Sequence, residues 1–245
     1  ISLTFLSGER SAFFYIILIL IIFLIILKKN LFILNTLIIS VILVVTISFT
    51  NERIKERMID YSISQIFIEK DLSDKDENKI KIFSIQHYVV YLSSYKIFLD
   101  HPILGIGPKM FREICKEEKY FISKDEQEKL IGYREDESLS VNGCQTHSHN
   151  TYVQLLTETG LIGFFPVFIM FLFICSLFFI QFFNIIIGRN RILSDFQVCL
   201  YTCVFITLWP IIPTGNFFHN WLSIIYFLPI GFIFHTYDRG SKNLN

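Results

Sequence analysis

Residues 161–187 read LIGFFPVFIMFLFICSLFFIQFFNIII, with no Asp, Glu, Lys or Arg among them. As a helix this stretch would be about 40 Å long at ~1.5 Å per residue. That exceeds the roughly 30 Å hydrocarbon core of a bilayer, so it reads as a tilted membrane span. It stops at Gly188-Arg189-Asn190-Arg191. Working outward, four further apolar runs appear: Ala12–Leu27, Leu31–Phe49, Phe196–Pro213 and Trp221–His235. Only Lys28, Lys29 and Asn30 separate the first two, which allows nothing but a helical hairpin. The competing reading is five buried helices of a soluble domain. Runs this long and this rich in Phe and Ile are hard to bury in a domain of this size.

Composition agrees. The chain has 245 residues, 52% hydrophobic, with 27 Phe. Its mean hydropathy is +0.50. Charged residues make up 18%, and they are concentrated: residues 51–150 hold 15 of 22 Lys/Arg and 18 of 22 Asp/Glu. A simple soluble globule and a disordered chain are excluded. So is a nucleic-acid binder driven by net charge, because the formal net charge is +0. The domain plan is two transmembrane helices in 1–49, a large polar loop in 50–158, and three transmembrane helices with a short tail in 159–245.

Three tips are basic: Lys28/Lys29, Arg189/Arg191 and Arg239/Lys242. The positive-inside rule puts all three in the cytoplasm. Arg10, the polar insert and the Thr214–Asn220 loop then face the other side. No signal peptide is visible. The chain begins at Ile1, and its first residues resemble the end of a longer element, so it is expected to be the C-terminal portion of a longer protein. Cys175, Cys199 and Cys203 lie in apolar runs and read as small hydrophobes. Cys115 and Cys144 lie in the insert, where either a disulfide or two free thiols fits the sequence.

Within the insert, residues 51–70 have apolar positions at helical spacing, and Asp71–Lys79 reads as a charged linker. Ile82–Leu99 predicts an aromatic amphipathic helix lying near, or packing on, the membrane surface. Asp100-His101-Pro102 ends it. Met110–Lys119 predicts another helix, and Lys124–Ser140 a solvated, mobile stretch.

Four features stand out as carriers of chemistry. Ser7-Gly8-Glu9-Arg10-Ser11 sits at the outer end of the first span. Arg10 there is either a snorkelling anchor or an anion clamp for phosphate. His101-Pro102-Ile103-Leu104-Gly105-Ile106-Gly107-Pro108 is a tight Gly-rich turn without the Lys or spacing of a P-loop. Gly143-Cys144-Gln145-Thr146-His147-Ser148-His149-Asn150 precedes the third span. Its two His have no carboxylate or third His near in sequence, so general-base work suits them better than metal binding. Finally, Thr151–Gly163 is helical in pattern and carries Glu158 toward the apolar zone. Glu158 reads as a functional group or as the partner of an arginine.

The run His149-Asn150, nine residues, Gly160-Leu161-Ile162-Gly163 resembles the signature of the O-antigen ligase and polymerase superfamily. Asp100–Gly107 resembles a second stretch of that family, and Ser7–Ser11 a third, in the family's order. The resemblance implies an all-α, GT-C-like integral membrane protein with about five spans here and a partly helical periplasmic loop. It implies transfer of a glycan from undecaprenyl diphosphate to an acceptor sugar at the periplasmic face of the bacterial inner membrane. Lipid A core is the acceptor in ligases and another repeat unit in polymerases. Neither metal nor nucleotide cofactor is implied, and no nucleic-acid partner; membrane lipids are partners. The family's catalytic His maps to His149 and its first Arg to Arg10. Its second Arg falls on His87 when the family's aromatic is matched to Tyr91. That is a departure, and Arg53, Arg57 or Arg112 are alternative cations. Asn150, His147 and Glu158 complete the expected substrate-binding set.

Ligation to lipid A core is the leading expectation and polymerisation its sibling. A transporter or flippase subunit, or a ligand-sensing insert, are the alternatives of other classes. The transporter would show ionisable residues or paired broken helices within the spans. A sensor would have no need of His149.

Overall fold

The computed structural model describes residues 1–28, 30–60, 62–63, 85–123, 126 and 143–242. Among these residues the structure is helix and loop, without strands. The expected linker at Asp71–Lys79 lies outside the described residues. So does the Lys124–Ser140 stretch, apart from Glu126. The chain forms two compact units.

The first unit comprises residues 1–82, 174–206 and 228–245. Helix α1 (Ser2–Ser7) ends at Gly8, which adopts the left-handed conformation (φ 74°). Helix α2 (Arg10–Ile26) and helix α3 (Asn30–Thr50) form the expected hairpin. In α3 the hydroxyls of Thr36, Ser40, Thr46 and Ser48 each donate to a carbonyl four residues back. Bonding of this kind satisfies hydroxyls carried on an otherwise apolar helix. A short α4 (Glu52–Lys55), capped by the Asn51 side chain on the Ile54 N–H, runs into a π-helical turn at Glu56–Asp60. Arg191 donates to the carbonyl of Ile26 at 2.8 Å, in the open last turn of α2. This brings the Arg189–Arg191 turn beside the end of α2 and the Lys28 turn that follows it.

Helix α7 (Thr151–Ile187) begins in the second unit and continues into the first. Its lower half is braced by buried Gln181, whose Oε1 accepts from Ile192 and Leu193 N–H at 2.9 and 3.1 Å. Helix α8 (Asp195–Thr207) opens with a reciprocal capping box. The Gln197 N–H donates to Ser194 Oγ, and the Ser194 N–H donates to Gln197 Oε1. Helix α9 (Asn220–Lys242) completes the set.

Among the described residues, two helices are long and apolar enough to cross a bilayer, Leu31–Thr50 and Thr151–Ile187. Three shorter apolar helices accompany them: Arg10–Ile26, Asp195–Thr207 and Asn220–Thr236. The fourth apolar run thus differs from expectation. It is helical only to Thr207, and Trp209, Pro210 and Pro213 turn the remainder into loop. Proline lacks the N–H a helix interior needs and disfavours helix in the residue before it.

The second unit comprises residues 83–173 and 207–227. Helix α5 (Ile85–Asp100) follows the predicted amphipathic stretch closely. Its Val90 and Ile97 pack with Phe111, Cys115 and Tyr120 in one core cluster. The expected Met110–Lys119 helix shrinks to one turn, α6 (Phe111–Ile114), and a 3₁₀ turn at Glu118–Tyr120. Lys116 to Lys119 are all exposed, so no apolar face exists there to hold a longer helix in place. Cys115 and Cys144 form a disulfide. That settles the two readings left open by the sequence in favour of the bridge.

Candidate active site

The His149 segment is built on α5. Positions 87, 91 and 94 lie at i, i+4 and i+7, on one helical face. His87 meets His149 edge to face, with ring centroids 5.7 Å apart. Tyr91 lies against the Asn150 carboxamide, and burial pushes its phenol up to about 12 despite that contact. Ser94 Oγ donates to Ser148 Oγ at 3.0 Å, both side chains being buried. The next residue round the helix, Ser93, donates to the Tyr120 carbonyl and so ties α5 to the disulfide-linked loop.

His149 adopts φ 52°, a left-handed conformation uncommon outside glycine. Its carbonyl accepts from the Thr214 N–H at 2.8 Å. The turn sets the imidazole against two other histidines, since His147 lies 4.1 Å away centroid to centroid. Burial holds the His149 imidazole below its usual pKa. Burial first, and then the neighbouring His149, do the same to His147, against the opposing pull of the Thr214 carbonyl. The two rings differ in what they can do. His147 Nε2 is 3.3 Å from the Thr214 carbonyl, which can only accept, so this nitrogen carries the proton. Its Nδ1 is then left to accept from the Thr146 hydroxyl at 3.0 Å. Both nitrogens of His147 are therefore occupied by its own protein.

Asn150 is buried and engaged with the backbone. Its Oδ1 accepts from the Tyr152 and Val153 N–H groups at 3.0 and 3.2 Å, which is helix N-capping. Its Nδ2 donates to the Pro210 carbonyl at 2.7 Å. The loop after α8 thus carries the site from behind. Thr214 holds His149 and His147, and its hydroxyl pairs with Thr151. Asn216 accepts from Gln154 Nε2 at 2.8 Å.

Glu158 is only 1% exposed. Its Oε2 accepts from the Lys109 N–H at 2.9 Å and from Gln154 Nε2 at 3.1 Å. Lys109 and Gln154 thus stand where one of the two readings of Glu158 put an arginine. Around it, two motifs far apart in sequence clasp each other. The N–H groups of Ile106 and Gly107 donate to the Thr157 and Glu158 carbonyls, at 3.1 and 2.8 Å. In return those of Leu161 and Ile162 donate to the Pro102 and Ile103 carbonyls, at 2.9 and 3.3 Å. The exchange is possible because α7 breaks at Gly160 (φ 62°, ψ −162°), which frees N–H groups at the start of its long apolar half.

Arg10 belongs to the first unit, as the first residue of α2. Its Nη1 donates to Ser62 Oγ at 3.4 Å. Arg57 lies beside the same motif: its guanidinium flanks Gly8 and stands 4.0 Å from Glu9. Arg112 is exposed on α6, 3.5 Å from Glu113. The structure thus brings His87, His147, His149 and Asn150 together. It holds Glu158 one layer away in the clasp, and Arg112 pairs with its own neighbour. Sequence reading missed Tyr91 as a contact of the motif, along with Ser94, Ser148, Gln154 and Thr214. The polar Thr214-Gly215-Asn216 interruption between two apolar runs was the available signal for the last of these. Of the two histidines in this turn, His147 has both ring nitrogens engaged, while burial holds the His149 imidazole below its usual pKa.

A family model described as O-Antigen ligase matches residues 1–168 of this chain, more than half of it. No curated protein and no solved structure matches.

Proposed function

The chain belongs to the O-antigen ligase family, and from that premise we propose that it transfers a glycan from an undecaprenyl-diphosphate-linked donor to the lipid A core. Membership makes it a membrane enzyme of the glycosyltransferase kind, concerned with lipopolysaccharide. The donor, the acceptor, five spans of GT-C-like type and a periplasmic site in the inner membrane are the finer parts of the proposal. The observation that carries it is the placing of His149, held at φ 52° against His87 and His147 ahead of a capped helix, with burial keeping its imidazole below its usual pKa.

The chemistry is one displacement. The acceptor hydroxyl oxygen attacks the anomeric carbon. The bond from that carbon to the diphosphate oxygen breaks, and its electron pair leaves with the diphosphate. His149 takes the hydroxyl proton as the new bond forms. Attack from the face opposite the leaving group inverts the anomeric centre. The leaving group departs as an anion, so it needs cations more than an acid. Arg10 fills that role, with Arg57 beside the same motif as a second guanidinium. His87 and His147 keep the base in place, and Asn150 fixes the helix that follows it. The disulfide suits an oxidising compartment such as the periplasm.

The test is His149→Ala in the intact gene, expressed in a host deficient in surface glycan. Lipopolysaccharide and lipid-linked glycan are then compared on gels. Wild type is expected to place long chains on lipid A core, and the variant to accumulate lipid-linked polymer. Accumulation of single repeat units instead would reassign the enzyme as a polymerase. Wild-type behaviour of the variant would sink the transferase reading.

A further inference from the structure

The clasp loop carries two large apolar side chains that its own fold does not cover. Ile103 is 62% exposed and Leu104 is 72% exposed. Leu99, at the end of α5, and Ile162 and Phe165, at the start of the long half of α7, are exposed as well. These residues are joined by backbone. The Leu161 and Ile162 N–H groups donate to the Pro102 and Ile103 carbonyls, so the loop is fastened to the first turn of the apolar helix. Ile162, Phe165 and Ile169 follow one another at i, i+3 and i+7 on one exposed face of that helix. From Leu161 to Ile187 the helix outruns the hydrocarbon core by roughly 10 Å. Its apolar half begins at Leu161, directly after the polar Thr157-Glu158-Thr159 and Gly160, so in a spanning helix its first turns mark the passage from headgroups to acyl chains. A side chain fastened to those turns stands at the same depth.

We infer that Ile103 and Leu104 are an interfacial membrane anchor, inserted at the headgroup–acyl boundary beside the start of the long span. The occupant of this surface is phospholipid. Its warrant is continuity: backbone hydrogen bonds fasten the exposed apolar residues of the loop to the start of the exposed stripe on an apolar helix long enough to span. The anchor also has a consequence for the site. Three residues beyond Ile106 the same loop donates from Lys109 N–H to Glu158. The anchor and the segment bearing His149 are thus held by one helix and one loop. The inference depends on the membrane location and not on the transfer chemistry.

Photo-crosslinking tests it without any activity assay. Benzoylphenylalanine is placed at Leu104, and separately at Ile103, in the whole protein reconstituted into vesicles of radiolabelled phosphatidylcholine. The same probe at Lys116, exposed among charged residues, is the control. Labelled lipid is expected on the Leu104 and Ile103 variants at about ten-fold or more above the control, as for any side chain at the acyl boundary. Lipid labelling at or near the control level, with the variants intact in size-exclusion profile, overturns the inference. A crosslinked dimer in place of lipid adducts also overturns it, by making the surface a contact between copies. Two labelled positions keep the test decisive if one variant fails to fold.

Discussion

A Cβ added to Gly105 would land on the Glu158–Thr159 peptide, and one added to Gly160 would land on the Ile103–Leu104 peptide. Each glycine leaves room for the other's chain. Both also sit at positive φ, 67° and 62°, where a side chain is strained in any case. The two motifs are therefore fitted by reciprocal close approach and by the hydrogen bonds exchanged between them.

Gly160→Ala should destabilise the second unit by about 3 kcal/mol, since it adds backbone strain to a backbone collision. Gly231→Ala is the control. Nothing lies within 4 Å of its Cβ position, and the residue is helical. It should be neutral or stabilise by up to ~1 kcal/mol. Thermal unfolding in detergent checks both, and equal melting shifts would refute the reciprocal fit.

Asn150→Ala removes the cap from Tyr152 and Val153 and the donor to Pro210 together. A loss of about 1–2 kcal/mol is expected from the cap alone. Transfer should fall with it, because the capped turn positions His149. An unchanged melting temperature would show that the carboxamide serves something other than the helix end.

The pH–rate profile should have an acid limb below the usual histidine value of about 6.5, because burial lowers the pKa of His149. The sign for stability follows from the same shift. Below about 6.5 the unfolded chain takes up protons that the folded chain refuses, so the folded state loses stability as pH falls through that window. The contribution is fully present above about 6.5, and His147 shifts the same way. An acid limb at or above that value would contradict a desolvated base.

Cys115→Ser with Cys144→Ser opens a loop closed across a sequence separation of 29. The loss should be about 3.6 kcal/mol by the chain-entropy account. Cys144 precedes His149 by only a few residues, so activity should decline together with stability. Unfolding of wild type with and without reductant measures the effect. Identical transitions would mean that the bridge contributes nothing to the fold.

The helices were legible because hydropathy and helical spacing are local properties. The α2–α3 hairpin followed from a break of only a few residues between two apolar runs. Helix α5 followed from its aromatic spacing, and its end from His101-Pro102. The end of α8 at Thr207 was missed, although Pro210 and Pro213 stood in the run. Apolar composition there outweighed the helix breakers. The family motifs located His149, and the departure at position 87 was visible as a histidine in place of an arginine.

What the sequence by itself determined is therefore where most of the chain is helical, which stretches are apolar enough for a membrane, and which segments carry the family motifs. Tertiary structure alone decided how those segments meet. It put His87 against His149 across 62 positions of sequence. It assigned Asn150 to the helix cap, and placed Glu158 in the clasp with Lys109 and Gln154 as its neighbours. The reason is physical. Periodicity reports on which face a residue occupies within its own helix. Which residue stands opposite depends on backbone turns at Gly105, His149 and Gly160, and on the packing of chain segments far apart in sequence.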